Sequence, residues 1–137
     1  MLWLTAAIIA ALSVASALAA QAPILAGPWG MGQKGYGHVK PHTIFNGGDP
    51  TGLVEHIDWL SWGGTRAVGA GIAEYVGPHQ SVAEGTQQIA KVVLFQLGRC
   101  HGRRAYDAIE WYFPQHGQRF NPHLYINACT GTYYPLP

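Results

Sequence analysis

From Thr51 to the end of the chain, short runs that alternate apolar and polar residues are stopped by Gly or Pro every dozen or so positions. That punctuation leaves little room for a helix and favours strands joined by turns. The first run, residues 53–62, puts Leu53, Glu55, Ile57, Trp59 and Ser61 on one face and Val54, His56, Asp58, Leu60 and Trp62 on the other. Gly63-Gly64 then offers a tight hairpin turn. In the second run, residues 66–76, one face carries Val68, Ala70, Ile72 and Val76, and the other only Ala67, Gly69, Gly71 and Ala73. Four small residues on one face predict the close approach of another backbone or of a bulky ring. The third run, residues 89–97, is apolar on both faces and belongs at the centre of a sheet. The fourth, residues 105–113, points Ile109, Trp111 and Phe113 inward and Tyr106, Ala108, Glu110 and Tyr112 outward, and Pro114 ends it. A last short strand is expected within residues 124–130. Residues 82–94 have the length of a helix, but Gly85 and the β-branched residues oppose one.

Upstream the pattern is different. Residues 20–50 alternate seven glycines with Pro23, Pro28, Pro41 and Pro50, which predicts irregular backbone with one extended piece at 39–45. Its start is expected to be loose, and its later part to be pinned by Trp29, Tyr36 and Phe45. Residues 1–19 form an apolar leader with Ala-x-Ala patterns at Ala15 and Ala17, and no charged side chain occurs before Lys34. It reads as a signal peptide cleaved near Ala19, with an uncleaved anchor as the alternative. After cleavage no membrane span is expected. Three regions result: 1–19 signal peptide, 20–50 irregular segment, and 51–137 antiparallel β domain.

Cys100 and Cys129 are the two cysteines, and in an oxidising compartment they read as one bridge. Closing a loop of about 30 residues contributes roughly 3–4 kcal/mol in the chain-entropy model. A zinc site would call for the short C-x-x-C spacing that is missing here. The expected fold is all-β: a small antiparallel β-sandwich or partly open barrel of about four to six strands.

The segment Ile57-Asp58-Trp59-Leu60-Ser61-Trp62-Gly63-Gly64-Thr65, followed by Ala67-Val68-Gly69-Ala70-Gly71, resembles a pattern in small exported proteins of mycobacteria and related actinobacteria. Phe95-Gln96-Leu97-Gly98-Arg99-Cys100, Glu110-Trp111-Tyr112-Phe113-Pro114 and Cys129-Thr130-Gly131 are similar too. The resemblance spans residues 45–134 and implies an exported, β-rich protein. It carries over no catalytic residue.

Chemistry-bearing constellations are sparse. Ser61 lacks a G-x-S-x-G elbow, and strand alternation places it opposite His56 and Asp58. The seven histidines are scattered, with His38 and His42 the closest pair, so neither metal nor cofactor is expected. Paired carboxylates for glycoside hydrolysis would have to come from Glu55, Asp58, Glu74, Glu84, Asp107 and Glu110, in a chain with little wall for a cleft. A net charge of +1 and no basic run longer than Arg103-Arg104 give no reason to expect nucleic acid. The candidate binding face is Tyr106, Glu110 and Tyr112: two aromatic platforms flanking a carboxylate, suited to an envelope glycan or protein. Cross-strand aromatic pairing without a ligand is the plainer reading of the same residues. The functional expectation is an exported, non-enzymatic binding or surface-interaction protein. A structural envelope component and a small secreted hydrolase are the alternatives.

Overall fold

The computed structural model describes residues 21–137. The expected signal peptide, residues 1–19, lies outside the described residues. The fold is all-β, as the spacing of turns predicts, with strands β1 (Ile24–Leu25), β2 (Ile44–Phe45), β3 (Leu53–Ser61), β4 (Ala67–Tyr75), β5 (Thr86–Cys100), β6 (Arg103–Tyr112), β7 (Tyr125–Asn127) and β8 (Tyr133–Tyr134). Of the arrangements expected, the open one forms. All strands join one sheet in the order β2-β3-β4-β5-β6-β7-β8, antiparallel throughout, and β1 adds to β6 as a parallel partner. The four long strands are the four runs of the sequence, and four strands of two or three residues bring the total to eight.

Local chemistry fixes the connections. β5 and β6 are joined by His101 and Gly102, both at positive φ (49° and 79°), between the paired residues Cys100 and Arg103. This two-residue turn has the twist that antiparallel strands prefer. The longer β4–β5 connection closes with a single 3-10 turn, Val82–Glu84, where Ser81 and Glu84 cap each other. That turn is all the helix found in residues 82–94. β6 stops at Pro114, which opens another 3-10 turn, Pro114–His116.

The small face of β4 does what its residues predict. A Cβ on Gly69 would lie 2.9 Å from the Asp58 carbonyl oxygen and 2.9 Å from the Trp59 ring, and one on Gly71 would lie 2.8 Å from the Glu55 carbonyl oxygen. β3 therefore sits closer to β4 than side chains would allow. β5 is the central strand, with Ala90, Val92 and Leu94 fully buried on one face and Val93 and Phe95 on the other.

Simple alternation fails at two places. His56 adopts φ 53°, and the register slips between Glu55 and Asp58, so Val54 and Ile57 both reach the core. Gln96 adopts φ 54° on β5, at the level of Asp107 on β6. On one side of that level Ile109 and Phe113 face the main core, while beyond it Tyr106 and Leu97 do. The side that Tyr106 would take by alternation holds the smaller cluster of Val93, Phe95 and Ala108.

Residues 21–50 are irregular, as expected, yet their start is not loose. Pro23, Ile24, Leu25 and Ala26 are buried, β1 pairs with Ala105 and Tyr106, and Leu25 exchanges backbone hydrogen bonds with the 37–38 stretch. With Tyr36, Pro41 and Ile44 they supply much of the main core. Trp59 and Trp62 donate their indole N–H groups back to Pro41 and Pro23 carbonyls at 2.8 and 2.9 Å. This segment is part of the same packed unit as the long strands.

Candidate functional site

The three residues expected to form an outward face are not together on a surface. Tyr106 is fully buried (0% exposed). Its hydroxyl donates to the Gly64 carbonyl at 2.7 Å and accepts from the Gly63 N–H at 2.8 Å, and its ring meets Trp62 edge to face at 5.4 Å. It ties the β3–β4 turn to β6 and is unavailable to a ligand. The reversal at Gln96 and Asp107 is the physical reason, since it turns Tyr106 to the core side. Tyr112 is half-buried and packs on the Val93, Phe95 and Ala108 cluster beside Phe120 and Tyr125. Burial raises its hydroxyl's pKa, helped by the charge of Glu110.

Glu110 is 7% exposed, where an outward carboxylate was expected. Both of its oxygens accept from the Asn121 backbone N–H, at 3.1 and 3.2 Å. Burial pushes its pKa up to about 7, and the Asn121 N–H opposes that rise. Glu110 is among the residues lining an apolar pocket of about 160 Å³, whose walls include Trp111, Leu124, Tyr125, Ile126 and Tyr133. The pocket opens where β7, paired with β6 through Asn127 and Ile126, parts from it towards Tyr125. Stacked Tyr125 and Tyr134, with centroids 4.9 Å apart, stand at its side.

Trp111 has a larger role than the inward core position expected for it. It is half-buried and lines two further depressions. One, of about 430 Å³, is walled by Trp29, Tyr133 and the 46–52 loop, including Asn46, Asp49 and Thr51. The other, of about 220 Å³, adds Glu74, Tyr75 and Gln118. The first two share Trp111, Ile126 and Tyr133, and the last two share Trp111 and Thr51, so Trp111 is common to all three. The loop is held by side-chain hydrogen bonds. Asp49 accepts from the Thr51 N–H at 2.8 Å and from the Thr51 hydroxyl, and Asn46 accepts from the Tyr36 hydroxyl. Tyr75 is held by a His116 ring stacked at 3.6 Å. Glu74 Oε2 is buried without a hydrogen-bond partner. The arrangement offers flat aromatic surface bordered by amides, hydroxyls and carboxylates.

Other sequence candidates resolve into structural roles. Cys100 and Cys129 form a disulfide with a Cα–Cα distance of 5.7 Å. His101 lies beside it, but sulfurs joined to each other offer no thiolate to a metal. Ser61 Oγ accepts from the Val68 N–H at 3.1 Å and helps close the β3–β4 hairpin. His42 Nδ1 lies 3.3 Å from the Ile57 carbonyl oxygen. Among the described residues, no helix is long and apolar enough to cross a membrane. Trp29, Asp49 and Tyr133 are brought to Trp111 from segments far apart in the chain, and no local spacing signals that meeting. No protein-family model, curated protein or solved structure matches the chain.

Proposed function

We propose that this chain is a non-enzymatic binding module acting outside the cytoplasm, and that the groove around Trp111 takes a saccharide of an envelope glycan. The observation that carries the reading is the meeting of three depressions at Trp111, with Trp29, Tyr75 and Tyr133 on their walls. Sugar rings present apolar C–H faces to aromatic rings and hydroxyls to amides and carboxylates, and this groove supplies both. The disulfide suits an oxidising compartment, and the resemblance to exported actinobacterial proteins points the same way.

The test is a tryptophan-fluorescence titration with oligosaccharides released from a purified cell-wall polysaccharide. Saturable quenching is expected, and Trp111→Ala and Tyr133→Ala should each weaken it at least about tenfold. Tyr133 is 61% exposed, so its replacement leaves the core alone. Leu60→Ser, at an 80% exposed position outside the groove lining, should change nothing. Quenching that survives both groove variants would overturn the reading.

One observation favours a hydrolase instead. A buried carboxyl raised to about 7, as in Glu110, has the pKa a general acid needs, and Asp49 and Glu74 border the adjoining depressions. Release of shorter fragments during the same titration, abolished by Glu110→Gln, would decide for that reading.

A further inference from the structure

We propose that the tip of the β5–β6 hairpin is a binding site for a phosphoryl group, held by Arg99, Arg103 and Arg104. The near-neutral charge of the whole chain conceals how unevenly it is spread: three of the eight basic side chains stand at this tip, with His101 in the turn between them. They line a polar pocket of about 190 Å³, completed by Gln21, Ala22 and Ile24 at the start of the described chain. Among the described residues, no carboxylate borders it. The nearest acid along β6, Asp107, lies against Gly98 on the strands and not at the tip.

The placement runs against stability. Arg99 and Arg104 are direct cross-strand partners, and Arg103 lies opposite Cys100 in the next pair. Like charges directly opposite each other in a ladder destabilise it. The backbone is nevertheless held firmly there by the two-residue His101-Gly102 turn and by the bond from Cys100 to Cys129. Two of the guanidinium groups are aimed by backbone carbonyls: Arg99 Nη1 donates to Gly102 O at 3.1 Å, and Arg104 Nη1 to Gln21 O at 3.4 Å. A carbonyl orients a guanidinium without neutralising it, and each retains most of its five donors. A tetrahedral oxyanion of charge near −2 uses such a set far better than a carboxylate, because it has more oxygens to accept and more charge to compensate. The pocket volume suits one or two linked phosphoryl groups. These come either from a soluble phosphorylated molecule or from a lipid headgroup.

The experiment measures pyrophosphate binding by calorimetry at low and high salt. In parallel it measures co-sedimentation with phosphatidylcholine vesicles, with and without one-fifth phosphatidylinositol 4-phosphate. Pyrophosphate binding that weakens with salt, and falls at least about tenfold in both Arg99→Gln and Arg104→Gln, supports the site with a soluble source. Retention on the vesicles with phosphatidylinositol 4-phosphate alone, lost in the same variants, supports it with a lipid source. Lys34→Gln, remote from the pocket, should bind as the unaltered protein does. Both arginine variants should keep or raise the melting temperature, because each removes a like-charge neighbour. Binding to neither probe, or binding unchanged by the arginine variants, would overturn the proposal.

Discussion

Replacing Tyr106 tests the account of the main core most directly. In Tyr106→Phe the ring stays, and two hydrogen bonds to the β3–β4 turn are lost. The Gly64 carbonyl is on an exposed residue and finds water, so its share of the loss is small. The Gly63 N–H is half-buried and loses its acceptor, which brings the total to about 2 kcal/mol. Tyr106→Ala adds an emptied aromatic site between Trp62 and β1, and large-to-small changes of that kind cost about 3–5 kcal/mol. The sum is a large part of the roughly 5–15 kcal/mol that holds an ordinary domain, so the alanine variant should unfold at low denaturant or fail to fold. Urea denaturation followed by tryptophan fluorescence, with the midpoint compared at constant slope, measures both. A Tyr106→Phe variant within about 0.5 kcal/mol of the original would refute the stapling role assigned to the hydroxyl. An alanine variant with an unchanged midpoint would place the ring in solvent.

Three further outcomes follow from the same contacts. Burial raises the folded-state pKa of Glu110 from the ordinary 4.5 to about 7, so the folded protein binds more protons than the unfolded chain between those values, and stability falls as pH rises through them. Glu110→Gln should therefore flatten the melting temperature between pH 5 and pH 8, gaining about 1–2 kcal/mol at the alkaline end once partial solvent screening is allowed for. Gly71→Ala drives a methyl group against the Glu55 carbonyl and Val54, both at 2.8 Å, and should lower stability by about 1–3 kcal/mol with the midpoint of denaturation as readout, whereas Gly48→Ala, which meets nothing within 4 Å, should not. Reduction of the Cys100–Cys129 bond, verified by the appearance of two titratable thiols, should lower stability by roughly 3–4 kcal/mol.

What the sequence disclosed and what it hid divide along a physical line. The glycines and alanines of β4, the two-sided apolar run of β5 and the paired cysteines are local signals, and each means in the structure what it means in the chain. The site is hidden because the backbone abandons strand alternation at points that the sequence does not mark. His56 and Gln96 adopt left-handed conformations that a polar non-glycine residue gives no warning of, and the second reversal carries Tyr106 from the expected surface into the core. β1, β2 and β8 hold two residues each, too few for any period to show. The groove at Trp111 needs a loop, a turn and an edge strand at once, and a single indole in an alternating run reads as core whatever else surrounds it.

The parallel docking of β1 on β6 also sets an order of events in time. A chain is made from its N-terminus, so Ile24 and Leu25 appear early, while their partners Ala105 and Tyr106 come more than half the chain later. Until β6 exists, the most deeply buried stretch of residues 21–50 has no strand to lie against. Pairing of β1 therefore has to wait for β6, and non-local closure of that kind is slow. A chain cut short before Arg103 would leave Ile24, Leu25 and Ala26 without the strand that covers them, a persistently sticky end. Docking of the segment around β1 therefore registers that β6 has been made.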